Sequence, residues 1–281
     1  MEGIVVQARP EVKKPIHPIR LIIYLGILVG VVIPMLPQLV WAFSHRWLFP
    51  DIVPSEFRMR AWEYIANPNT NVLSATLASL WIALAVTGIS ILVGVPAGKA
   101  LGMYKFRGKS IVELIILSPS IIPGLAVTMG MQVIFIRIGL TATMLGVIIV
   151  HLLPTIPYMT ISMSGVFANY DPAYEEQARS LGASAFKTFF IITLPTVFPG
   201  IMTGAMFAFL ISWGQYILTV IIGGGRVITL PLLLFSFAGS GDNPVTSAMS
   251  IIFLLPSIII LFITSKFLSG KSSAMGGFGN L

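Results

Sequence analysis

Six stretches of this chain contain no Asp, Glu, Lys or Arg: residues 21–45, 64–98, 114–136, 138–170, 188–225 and 243–265. A helix needs about 20 mostly apolar residues to cross a bilayer core, and every stretch is that long. In lipid each backbone amide and carbonyl must be satisfied internally, which continuous apolar runs achieve as helices. A transmembrane barrel would show short alternating segments instead. The composition agrees, with 56% of 281 residues hydrophobic and 10% charged, against about 25% charged in soluble domains. Disorder requires the opposite balance. The expected fold class is an all-α membrane protein with six transmembrane helices, near 20–43, 72–102, 112–136, 139–166, 196–222 and 245–268.

The first span is too long for the apolar region of a signal peptide, and no small-x-small cleavage site follows it. Residues 1–19, polar and Pro-rich, read as a cytoplasmic N-terminal tail, 20–268 as one six-helix domain, and 269–281 as a cytoplasmic C-terminal tail. With the N-terminus inside, Arg9, Lys13, Lys14, Arg20, Lys99, Lys105, Arg107, Lys109, Arg179, Lys187, Lys266 and Lys271 are cytoplasmic. Arg46, Arg58, Arg60, Arg137 and Arg226 are external. That distribution obeys the positive-inside rule. In the first external loop, about 44–71, Arg46, Arg58 and Arg60 balance Asp51, Glu56 and Glu63. Trp41, Trp47, Trp62 and Tyr64 cluster beside it, at headgroup level.

Several chemistries are disfavoured. There are 0 cysteines, so no disulfide, thiolate metal site or cysteine nucleophile is available. His17, His45 and His151 fall in different compartments, against a metal site. Lys and Arg are scattered rather than clustered, against nucleic acid. Gly108-Lys109-Ser110 resembles the end of a phosphate-binding loop, but Met103 stands where that loop needs glycine, and the stretch follows a membrane helix rather than a strand. No catalytic residue is assigned.

One segment interrupts the hydrophobic pattern, about 171–184. Asp171 suits an N-cap and Pro172 the first helical position. Glu175 and Glu176 fall where negative charge favours the helix dipole, and Glu175 with Arg179 makes an i,i+4 pair. Tyr174, Ala178 and Leu181 share one face. Gly182 can end the helix with positive φ, and Ser184 can start a second helix carrying Phe186, Phe189 and Phe190. Pro195 and Pro199 are expected to interrupt that second helix, so that the fifth span begins after Pro195. Spacing alone allows either a functional helix–turn–helix elbow or a hairpin that merely closes the bundle.

Glu176-Gln177-Ala178, then Gly182, then Ile192, Leu194 and Pro195 resemble the EAA motif of ABC importer permeases. The resemblance covers roughly 70–268 and is strongest in 169–200. Gln177, in place of the motif's first alanine, is the departure, and fits if it points to water. The resemblance implies a type I ABC importer permease fold in a bacterial or archaeal cytoplasmic membrane. It implies an ATPase dimer below, a second permease (identical or homologous) alongside, and an external solute-binding protein above. ATP and Mg would be bound by the ATPase, with no cofactor on this chain. Tyr174, Glu175, Glu176, Gln177, Ala178, Arg179, Leu181, Gly182, Ala183 and Ser184 would form the coupling helix and its turn. The run Gly223-Gly224-Gly225-Arg226-Val227, with Thr229-Leu230-Pro231, is similar to the spermidine/putrescine branch. That branch also resembles permeases for iron, thiamine, sulfate and phosphonates, so the implied solute is a small polar molecule such as a polyamine.

Polar residues within spans are the translocation-path candidates: His151, Trp213, Gln215 and Tyr216, with Gln132 and Thr128 nearby. Each can equally serve as an interhelical hydrogen bond. Gly94, Gly98 and Gly102 recur every fourth residue, as do Gly26 with Gly30 and Gly200 with Gly204. They mark close helix crossings, within one chain or at a dimer face. The segment from Gly223 to Leu234 is too short to span and reads as an interfacial or re-entrant helix. Alternatives to the importer permease are an ATP-independent channel or secondary transporter, and an intramembrane enzyme. The last would need a catalytic partner for His151 that the sequence does not show.

Overall fold

The computed structural model describes residues 18–47, 50–122 and 124–275. Most of the expected N-terminal tail, including Arg9, Lys13 and Lys14, lies outside the described residues, as does 276–281 of the C-terminal tail. The chain opens with α1 (Pro18–Trp41), a two-stranded antiparallel hairpin of β1 (Ser44–Arg46) and β2 (Glu56–Phe57), and α2 (Arg60–Ala66). A 3₁₀ turn, Pro68–Thr70, leads into α3 (Val72–Met103). Next come α4 (Lys109–Ile121), α5 (Gly124–Arg137) and α6 (Met144–Ala168). The short helices α7 (Ala173–Ser180) and α8 (Ala185–Thr188) precede α9 (Leu194–Trp213). Two further short helices, α10 (Ile217–Gly223) and α11 (Leu230–Ser240), lead to α12 (Asn243–Met275).

The spine is α3 on α6, the most extensive helix pair, with α9 against both. Glycine sets the approach. A Cβ on Gly94 would lie 2.5 Å from Met159 Cγ, and one on Gly102 2.6 Å from Ser164 O. Gly200 and Gly204 of α9 meet Val166 and Met159 of α6. These stripes are therefore crossings within one chain, where small residues let backbones close on one another. A Cβ on Gly26 or Gly30 of α1 would meet nothing within 4 Å among the described residues. Ile82, Val86, Val147, Met159, Met163 and Phe167 are buried along the α3–α6 seam.

The contacts also fix direction. Gly94, Gly98 and Gly102 meet Met159, Met163 and Phe167 in ascending order, so α3 and α6 run parallel. Gly200 and Gly204 meet Val166 and Met159 in descending order, so α9 runs antiparallel. Phe198 packs on Phe267 and Trp213 on Phe253, which turns α12 back again. The C-terminal turns of α1 share a groove with the first turns of α12, so α1 opposes α12. Two parallel spans require one return crossing between them, and only α4 and α5 lie there. They meet at 92°. The single span expected at 112–136 is thus two helices, broken beside Pro119 and Pro123. Ile122, just before Pro123, is extended with φ −78 and ψ 139, as a residue before proline favours. Two helices of about 20 Å at a right angle still separate their far ends by about 29 Å, close to the ~30 Å core.

The fifth span also differs from expectation. Pro195 does not interrupt it. Proline lacks an N–H and excludes the carbonyl four residues back, and the chain absorbs this upstream as a π turn, Phe189–Thr193, with the Leu194 N–H on Phe189 O. One apolar helix thus runs Ala185–Trp213 and ends before 222, with α10 separate. At the other end, α12 continues past 268 to Met275.

Arg60 does not balance its own loop. Its Nη2 donates to both carboxylate oxygens of Asp242, 2.7 Å to each, tying α2 to the start of α12. Leu230 N–H donates to buried Ser79 Oγ at 2.8 Å, docking α11 on α3.

Candidate functional site: an elbow at one end of the bundle

Between α6 and α9 the chain leaves the bundle and returns. Asp171 Oδ1 accepts from the Ala173 amide at 2.9 Å, satisfying one of the free N–H groups that open α7. Glu175 and Glu176 occupy its first turn and Arg179 its last, both favourable to the dipole. The helix ends in a Schellman turn. Gly182 N–H bonds Arg179 O at 2.9 Å and Ala183 N–H bonds Ala178 O at 3.0 Å, with Gly182 at φ +82. Ser184 Oγ then accepts from the Lys187 amide at 3.3 Å and starts α8.

The elbow has two faces. Ala178 is buried, and Glu175 turns toward the bundle. Glu175 Oε1 accepts from Lys99 Nζ and from Thr193 Oγ1, each at 2.8 Å. Arg179 Nη2 lies 3.6 Å from Glu175 Oε2. Burial would raise the Glu175 carboxyl, but hydrogen bonds from Lys99 and Thr193 and the charges of Lys99 and Arg179 outweigh it and hold the pKa below its ordinary value. Away from the bundle, Tyr174 is 53% exposed, Leu181 90% and Phe186 75%. Gln177 is exposed, which accommodates a long polar side chain where the motif has alanine. Tyr174, Gln177 and Leu181 border a groove of about 400 Å³ that runs to Lys187 and Ile192. Exposed apolar groups next to a polar rim are the kind of surface that suits a protein contact. Tyr174, Ala178 and Leu181 line this groove together, with Ala178 buried and the other two exposed.

The path candidates separate. His151 is 1% exposed, with Nδ1 hydrogen-bonded to Ser212 and Nε2 to Thr219, both at 2.9 Å. It joins α6 to α9 and α10, the interhelical alternative. Trp213 is sealed, its indole N–H on Phe253 O at 3.0 Å and its ring stacked between Phe209 and Phe253. Thr128 bonds Gly124 O within its own helix. Gln215 borders a cavity of about 230 Å³ with Pro119, Gly124 and Pro154, where α4–α5 bend and α9 stops. Tyr216 packs on Phe235, ring centroids 4.4 Å apart and planes tilted by 31°. Lys99 and Thr193 are the partners of Glu175 that the sequence did not name. The available signal was a cation inside the last turns of an apolar span, a position that demands a partner.

Comparison with known proteins places this architecture. Residues 90–271 match the family described as binding-protein-dependent transport system inner membrane component, which is more than half of the chain. The chain belongs to this family. It is a multi-pass inner-membrane permease of the ABC importer type. It is 29% identical over 231 residues to the putrescine transport system permease protein PotI of Escherichia coli K12, covering 80% of this chain and 77% of that one. It is 24% identical to the spermidine/putrescine transport system permease protein PotC of Haemophilus influenzae, covering 77% and 84%. It is 25% identical to the molybdenum transport system permease protein ModB of Mycobacterium bovis, covering 87% and 93%. Among solved structures, a bacterial ABC transporter involved in import of the acidic polysaccharide alginate aligns with TM-score 0.68, covering 90% of this chain and 99% of that one at 17% identity. The MetNI methionine transporter aligns with TM-score 0.55, covering 71% and 97% at 16% identity. These neighbours carry the type I importer fold. Within the family match, Glu176, Gly182, Ile192, Leu194 and Pro195 sit on the elbow, and their geometry explains the spacing: a first-turn acid, a left-handed turn, and the root of the next span.

Proposed function

We propose that α7 is a coupling helix that receives the motion of a separate ATPase dimer and passes it to the spans. The observation that carries this reading is the elbow itself. It is a rigidly capped helix standing off one end of the bundle, with Tyr174, Leu181 and Phe186 exposed and joined to two long spans. The elbow end is cytoplasmic, as is the start of α1, while the hairpin, α2 and α11 face outward toward a solute-binding protein. The chain forms half of the pathway beside a second, identical or homologous permease. It binds no nucleotide, and ATP with Mg is held by the ATPase. The solute is a small organic cation of the putrescine or spermidine type, supported by the relatives above. No Asp or Glu lies centrally in a span, so its charge is read by the binding protein or the paired permease. Mild purification of the tagged chain tests the assembly. The expected result is co-purification of an ATPase and a binding protein that takes up labelled putrescine. Recovery of the chain alone, with ATP-independent flux, would count against it.

A further inference from the structure

Glu175 lies in the elbow but faces away from its contact surface. Its side chain is 12% exposed, and one oxygen holds both Lys99 and Thr193. Lys99 belongs to α3, 76 positions earlier, and its ammonium also stands 5.9 Å over the Phe167 ring of α6. Thr193, fully buried, is the last residue of the π turn beneath α9. One carboxylate and one ammonium therefore gather α3, α6, α7 and the root of α9.

The covalent joints of α7 are both turns. Asn169 to Pro172 forms one, and the left-handed Gly182 forms the other. A helix hung between two turns can tilt without displacing either span. The carboxylate adds a third attachment, to a helix with no covalent link to the elbow. Among the described residues it is the one ion pair between α7 and α3. Since α3 closes on α6 along its glycine stripe, a pull on Lys99 reaches the whole α3–α6 spine.

We infer that Lys99, Glu175 and Thr193 are positioning residues that make α3 travel with the coupling helix, so that ATPase motion reaches both long parallel spans instead of being lost in the turns. This rests on the coupling role proposed above. Removing the link lets the elbow move under ATP while the spine lags.

The test uses the full transporter in proteoliposomes, with spin labels on Tyr104→Cys, at the end of α3, and Leu181→Cys, on the elbow. With Lys99 and Glu175 intact, the separation of the two labels stays the same with and without ATP and vanadate. In Lys99→Met and Glu175→Gln it changes with nucleotide, and labelled putrescine moved per ATP hydrolysed falls about tenfold, within the usual range of coupling between sites. Lys99→Arg, which keeps the charge, restores both readouts. Thr193→Val, a milder change that leaves the ion pair in place, falls between. Lys99→Met with an unchanged separation and an unchanged transport ratio would overturn the inference. So would equal defects in Lys99→Arg and Lys99→Met, which would mark the site as packing alone. Failure of the ATPase to bind the chain with Lys99 and Glu175 intact would instead overturn the coupling role on which the inference rests.

Discussion

Gly182 carries its effect through backbone conformation alone. Its φ is +82, and nothing lies within 4 Å of where a Cβ would stand. Gly182→Ala therefore costs about 1–2 kcal/mol of local strain without a clash. Asn, which visits this region more readily, should cost less. The check is solute-stimulated ATPase activity, expected to fall in the order Gly, Asn, Ala. Glu175 predicts a pH dependence. Its carboxyl is held below its ordinary 4.5 in the folded chain, against burial, by Lys99, Thr193 and Arg179. A group with a lowered folded pKa contributes stability that is complete above the unfolded value and lost as pH falls through the folded one. Thermal unfolding in detergent should show an acid-side loss of stability that shrinks in Glu175→Gln, with no difference in shape near neutrality. His151 gives a contrasting prediction. His151→Leu leaves Ser212 and Thr219 without their buried partner, costing about 1–2 kcal/mol. It should lower the unfolding temperature and leave solute preference unchanged. A shift in preference at constant stability would return His151 to the path.

At the level of helices, the α3–α6 contact makes an ordered prediction. A methyl on Gly94 meets Cγ and Cβ of Met159, with backbone no nearer than the Thr160 nitrogen at 3.3 Å, whereas one on Gly102 meets backbone directly, Ser164 O at 2.6 Å and Ala168 N at 3.0 Å. Gly102→Ala should therefore destabilise more than Gly94→Ala, by about 1 kcal/mol or more given the usual cost of overpacking, as read from unfolding temperatures of the two variants. These elements also show what the sequence can reveal. Uncharged runs located every long helix, because lipid allows little else. The Asp171, Gly182 and Ser184 signals located the elbow, because caps and left-handed turns are local chemistry. The bend between α4 and α5 was not legible as a right angle, since hydropathy reports depth preference and not direction. The π turn was hidden because Pro195 appeared as a break, while the helix could widen upstream to accommodate it. Lys99 with Glu175, and Arg60 with Asp242, join positions far apart in the chain. No local pattern names such partners.

Across the whole molecule, α1, α9 and the return through α4–α5 run opposite to α3, α6 and α12, which makes six crossings and places the elbow and the start of α1 at one end. The family match and the type I importer fold give this arrangement its role, and the elbow is where force would enter. The absence of cysteine, 0 in 281 residues, makes any introduced thiol unique. The most direct test is Leu181→Cys in the assembled transporter. The thiol should crosslink to the ATPase with a yield that changes when ATP is added, and should stay unlabelled by an impermeant thiol reagent applied outside intact cells. Labelling from outside, or a crosslink to no ATPase in any nucleotide state, would contradict the account.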